Sequence, residues 1–95
     1  MAGAFRVVGR SDRFAKDFDK LDEAQKAAVR DCIRDLALDP VPAARRFHCV
    51  STRRPKIYSL DVFPNKSYKM TIQIEANNEV ILRRVGTHKS IDQNP

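Results

Sequence analysis

Read for the spacing of its apolar positions, the chain changes period twice. Phe5-Arg6-Val7-Val8 is a short apolar run that stops at Gly9, the form of a brief strand. From Ser11 the period lengthens. Phe14, Phe18 and Leu21 recur at i, i+4 and i+7, which puts one apolar stripe on a short helix with Ser11 or Asp12 as its N-cap. Asp22 followed by Gln25 predicts a capping box, and Val29, Cys32, Ile33, Leu36 and Ala37 continue as the inner face of a second helix that ends at Asp39-Pro40. So few residues separate these helices that they must fold back on each other as a hairpin.

Val41 to Pro55 has little period and reads as loop, apart from Phe47-His48-Cys49-Val50, which has the form of a short strand. Beyond it the period is two. Tyr58, Leu60 and Val62 alternate with Ser59 and Asp61, and a polar loop follows around Pro64-Asn65-Lys66. Tyr68, Met70, Ile72 and Ile74 then face one way while Lys69, Thr71, Gln73 and Glu75 face the other, as a sheet with one buried face requires. Val80 to Val85 is the returning strand. A three-residue loop at Ala76-Asn77-Asn78 pairs Ile74 with Val80 and Ile72 with Leu82, and sets Arg83 beside Lys69 and Thr71 on the polar face. A two-residue Asn-Asn turn shifts the register by one and puts the Arg83 charge in the core, where it is costly, so the longer loop is the reading adopted. The order of elements predicts an α+β fold: an N-terminal strand, then a helical hairpin packed on one face of a mostly antiparallel sheet of four to five strands.

Size leaves room for one such unit. Ninety-five residues with 42% hydrophobic content and no internal repeat predict a single domain over 1–95 with a thin core, so that any active site lies on an open face. No run of about 18 apolar residues is present to cross a bilayer, and Met1 to Gly9 lacks the long apolar stretch of a secretory signal, which predicts a cytoplasmic protein without a membrane partner. Cys32 and Cys49 form neither a CxxC pair nor part of a metal-ligand cluster, and are expected as free thiols packed like small hydrophobes.

Charge divides the chain more sharply than composition does. Residues 1–40 carry eight Lys/Arg and eight Asp/Glu, so the whole net charge of +6 resides in residues 41–95. There Arg45, Arg46, Arg53, Arg54, Lys56, Lys66, Lys69, Arg83, Arg84 and Lys89 face only Asp61, Glu75, Glu79 and Asp92. A positive field confined to one half of a small domain attracts a polyanion, either nucleic acid or an acidic protein segment. The arginine pairs Arg45-Arg46 and Arg53-Arg54 read as phosphate contacts, or as a solvated loop. Lys66 and Lys89 offer further cations. Phe63, beside Pro64 in a loop, is the candidate platform for an unpaired base, whereas Tyr68 fits the core alternation.

The helical hairpin ending in Asp-Pro, the Tyr68-Lys69 strand and the closing Val80-Ile81-Leu82-Arg83-Arg84-Val85-Gly86-Thr87-His88 together resemble toxins of the RelE/ParE superfamily, and the last segment is similar to the Gly-Thr-His ending of its YafQ branch. The resemblance implies a microbial-RNase fold and the toxin of a bacterial toxin–antitoxin pair. It implies an endoribonuclease that cuts messenger RNA on the ribosome, is held inactive by a cognate antitoxin and assembles with it into a higher-order complex. The ParE branch, whose members inhibit DNA gyrase without RNase activity, is the alternative it leaves open; a non-toxic basic adaptor is a third reading. His88 matches the position of the active-site histidine of YafQ-like members, and Lys69 a basic residue that follows an aromatic on the central strand. Asp92 stands where related nucleases carry Tyr or Phe, and Ser59 and Asp61 replace a basic pair.

Metal-independent RNA cleavage needs a base for the 2′-hydroxyl, an acid for the departing 5′-oxygen, and cations on the phosphorane oxygens. His88 can serve either proton role, since imidazole exchanges protons near neutral pH, and its competing reading is an exposed histidine at the end of a strand. Lys69 and Arg83 are the expected clamp, with no metal and no cofactor. Asp61 is expected either as a base or as the group that orients His88. His48, flanked by Phe47 and Cys49, is expected as a partly buried structural histidine.

Overall fold

The computed structural model describes residues 4–53, 55–65 and 67–95. Its elements run β1 (Arg6–Arg10), α1 (Asp12–Asp19), α2 (Glu23–Asp35), a 3-10 turn (Ala43–Arg45), β2 (His48–Ser51), β3 (Lys56–Asp61), β4 (Tyr68–Ile74), a 3-10 turn (Ala76–Asn78), β5 (Glu79–Thr87) and α3 (His88–Gln93). One five-stranded sheet has the order β1-β5-β4-β3-β2. The pairings are antiparallel except for β1, which lies parallel to β5. This is the α+β arrangement that the periodicity predicts.

Local chemistry accounts for the helix boundaries. The Ser11 hydroxyl accepts from the Phe14 amide at 3.0 Å to start α1, and Asp22 and Gln25 form the reciprocal capping box that starts α2. The helices bury Phe14, Val29, Cys32 and Leu36 against Leu60, Met70, Ile72 and Val80 of the sheet, the two apolar stripes meeting in one core. Phe18 and Leu21 pack at its margin.

The register between β4 and β5 begins as the three-residue loop requires. Ile74 pairs with Val80 and Ile72 with Leu82, while Asn77 and Asn78 take the left-handed backbone of the turn (φ 60° and 58°). Then the ladder slips. Thr71 pairs with Arg84 rather than Arg83, so Arg83 is the extra residue of a β-bulge, and Lys69 comes to lie opposite Gly86.

A second departure concerns the open face of the sheet. The residues from His88 onward form α3, whose Ile91 is fully buried over Gly86, and the chain continues until the Pro95 carbonyl accepts from the Thr71 hydroxyl at 2.8 Å. With six residues and one buried apolar position, α3 carries too little period to be read from sequence. Among the described residues no helix is long and apolar enough to cross a membrane.

Candidate functional site

The start of α3 brings two of the expected residues together. Thr87 caps the helix by accepting from the Ser90 amide at 3.3 Å, which places His88 in the first turn, directly after β5. Lys69 arrives from the neighbouring strand. Between them stands Asp92: its Oδ2 lies 2.7 Å from His88 Nε2, and its Oδ1 accepts from Lys69 Nζ at 3.3 Å. The histidine and the aspartate are half exposed, whereas the Lys69 side chain is only 11% exposed. The result is an open shelf of one imidazole, one carboxylate and one ammonium. It can move a proton at the ring and hold an anion nearby.

Asp61 pairs with Lys69 across the β3–β4 ladder, but it is not the partner of His88. Its side chain is 3% exposed and its carboxylate faces Arg46, with Nε–Oδ2 at 3.5 Å. Asp92 holds the place beside the histidine that the sequence reading gives to Asp61. The i,i+4 spacing of His88 and Asp92 was the available signal, and it becomes a contact only once that segment is helical.

Arg83 lies further along the sheet. Its Nη1 donates to Gln73 Oε1 at 2.7 Å, and Gln73 is four residues from Lys69 on β4, roughly 13 Å at the rise of a strand. There Arg83 borders a second hollow of about 370 Å³, shared with Ser11, Arg13, Ile57, Arg84 and Pro95. Its Nε is buried without a hydrogen-bond partner. Arg83 and Lys69 therefore share the open face without forming one compact clamp.

The other basic residues separate by how fully the fold engages them. Arg45 Nε is bonded to Asp35 at 2.8 Å, and Nη1 donates to the carbonyls of Asp61 and Val62, so most of this guanidinium is used in fastening the loop after α2 to the end of β3. Arg84 pairs with Asp17 of α1, both side chains 12% exposed. Arg46, Arg53 and Lys89 are exposed. Arg54 and Lys66 lie outside the described residues.

Three aromatic and sulfur readings also meet the structure. Phe63 is half buried and set edge-on to Tyr68, ring centroids 5.8 Å apart, so only part of its ring surface is open to stacking. His48 is exposed, not partly buried, because β2 is an edge strand, and its Nδ1 lies 2.6 Å from the Arg46 carbonyl oxygen. Cys32 is buried as expected and Cys49 is exposed on the same edge strand. Burial pushes the Cys32 thiol up to about 12, which removes it as a nucleophile near neutral pH. Among the described residues no group of three or more His, Cys, Asp or Glu side chains is placed to hold a metal ion.

A parallel N-terminal strand, a helical hairpin on one sheet face and a short helix at the other are the arrangement of the RelE-like fold seen in solved structures. Similar chains occur in the archaeal RelE–RelB complex from Pyrococcus horikoshii OT3 (14% identity, 88% of this chain and 94% of that one, TM-score 0.68) and in the RelB–RelE antitoxin–toxin complex from Methanococcus jannaschii (18%, 93% and 99%, 0.67). The E. coli DinJ–YafQ toxin–antitoxin complex contains another (16%, 93% and 97%, TM-score 0.65). At these identities the likeness is one of fold. No protein-family model matches the sequence, and no curated protein matches it.

Proposed function

We propose that this protein is the toxin of a toxin–antitoxin pair and acts as a metal-independent endoribonuclease on messenger RNA at the ribosome, in the cytoplasm, with its cognate antitoxin as its regulating partner. The observation that carries the reading is His88 at the start of α3, its Nε2 2.7 Å from the Asp92 carboxylate, which the Lys69 ammonium also contacts. Solved structures with the same fold are toxin–antitoxin complexes, which supports both the class and the kind of partner.

The chemistry follows from the groups present. His88 takes the proton of an RNA 2′-hydroxyl as that oxygen attacks the adjacent phosphorus. The P–O5′ bond breaks, leaving a 2′,3′-cyclic phosphate, and the departing oxygen takes a proton from solvent, which reaches this open shelf freely. Lys69 stabilises the charge on the phosphorane. Arg83, further along the face, holds a flanking phosphate, with Arg46, Arg53, Arg54, Lys66 and Lys89 adding affinity that carries no sequence information. Phe63 offers its open edge to a base beside the cleavage site. The ribosome contributes position, presenting the message in a reactive geometry.

Induced expression in a bacterial host is the test. The wild-type protein is expected to arrest growth and stop amino-acid incorporation, and His88→Ala to restore both. Arrest that persists at full strength in His88→Ala contradicts the reading.

A further inference from the structure

Asp92 contacts two of the proposed catalytic groups. Its two oxygens are divided between them: Oδ2 lies 2.7 Å from His88 Nε2, and Oδ1 takes a hydrogen bond from Lys69 Nζ at 3.3 Å. Three features hold it there. Thr87 fixes where α3 begins, Ile91 is buried beneath the helix and sets its rotation, and the stem of Lys69 is enclosed. An exposed ion pair on a mobile side chain contributes little, but here the lysine is ordered by its surroundings and brings the carboxylate to a fixed point.

We propose that Asp92 is a positioning residue for His88, and that Lys69 in turn positions Asp92. This rests on the nuclease reading above and adds a member to its site. A carboxylate accepting Nε2–H holds the neutral ring in the tautomer whose lone pair is on Nδ1. Nδ1 is then the atom that receives the 2′-hydroxyl proton, and the imidazolium so formed is stabilised by the carboxylate on its other side. Asp92 gains and loses no proton in the step. One of the three N–H bonds of Lys69 is used on Asp92, leaving two for phosphate oxygens.

A side chain that merely staples α3 to β4 has the same contacts, so the test must separate the two roles. Single-turnover cleavage of a defined message on ribosomes is measured for wild type, Asp92→Asn, Asp92→Glu, His88→Ala and the Asp92→Asn/His88→Ala double variant. The imidazole 15N shifts of His88 are recorded in the isolated wild-type and Asp92→Asn proteins. Asp92→Asn is expected to slow cleavage about ten- to a hundredfold while the half-saturating toxin concentration stays the same, and Asp92→Glu to recover part of the loss. In the His88→Ala background the Asn substitution is expected to cost nothing further. The ring shifts are expected to report one neutral tautomer, Nε2–H, in wild type and a mixture in Asp92→Asn, whose amide can donate as well as accept. Losses that multiply in the double variant, a loss confined to the half-saturating concentration, or identical ring shifts in the two proteins overturn the proposal. Wild-type protein that cuts no message contradicts the nuclease reading instead, and the ring shifts then decide by themselves whether Asp92 holds His88.

Discussion

His88 owes its setting to its neighbours on either side, Thr87 as the helix cap and Asp92 one turn on. The sequence displayed the histidine, because the Gly-Thr-His ending draws attention to it, but hid the partner. Asp92 reads as a departure from an expected aromatic until α3 brings its carboxylate round to the ring. Asp61 illustrates the opposite case: its place on the alternating strand makes it a natural partner for His88, yet its carboxylate is enclosed and faces Arg46. Loss of a positioned proton-transfer group costs about 10²–10⁴-fold, so His88→Ala is expected to lower single-turnover cleavage by that factor. The cysteines allow a check that does not depend on RNA. Cys49 is expected to react at once with a thiol reagent at neutral pH, and Cys32 only after denaturation, because the first is exposed and the second buried. Burial holds the Cys32 thiol protonated in the folded state, moving it from 9.0 to about 12. The unfolded chain loses that proton first, so the stability from this group is fully present below pH 9 and is lost as pH rises toward 12. Denaturant midpoints measured across that window are expected to fall less steeply in Cys32→Ala than in wild type.

At the scale of elements, the helical hairpin and the β-register were legible because each rests on a strong local signal: the Asp22–Gln25 box, and the penalty for burying Arg83 in the alternative turn. The bulge was not legible, since Leu82-Arg83-Arg84-Val85 suits a regular strand equally well. Its consequence is structural. Where β1 ends, α1 takes over the edge of β5: the Ser11 amide donates to the Leu82 carbonyl at 2.8 Å, the Ser11 hydroxyl donates to the Arg83 carbonyl at 2.6 Å, and Asp17 accepts from the Val85 amide at 3.2 Å while pairing with Arg84. A helix thus satisfies the polar groups that a sheet edge otherwise exposes. Asp17→Ala strands a largely enclosed guanidinium, and is expected to lower unfolding free energy by roughly 3 kcal/mol in urea titration. Asp22→Ala removes only a cap and is expected to cost about 1 kcal/mol in the same measurement.

For the whole molecule, the excess positive charge of residues 41–95 overstates the cationic surface. Arg84 pairs within the fold and Arg45 is largely engaged there, whereas Arg46, Arg53 and Lys89 remain exposed. No count of charges along the chain separates these groups, because only the tertiary fold decides which guanidinium meets a carboxylate. If the exposed three contact phosphates, each adds about 0.7 to the salt slope of single-stranded RNA binding. Replacing them together by alanine is expected to lower that slope by about 2, read from binding isotherms at several salt concentrations. Cleavage itself is tested most directly by primer extension on a defined mRNA translated in vitro with wild-type protein and with His88→Ala. New 5′ ends within the message that appear with wild type and vanish in the variant are the expected result. Translation that proceeds with no new ends, or ends that persist undiminished in His88→Ala, contradicts the account.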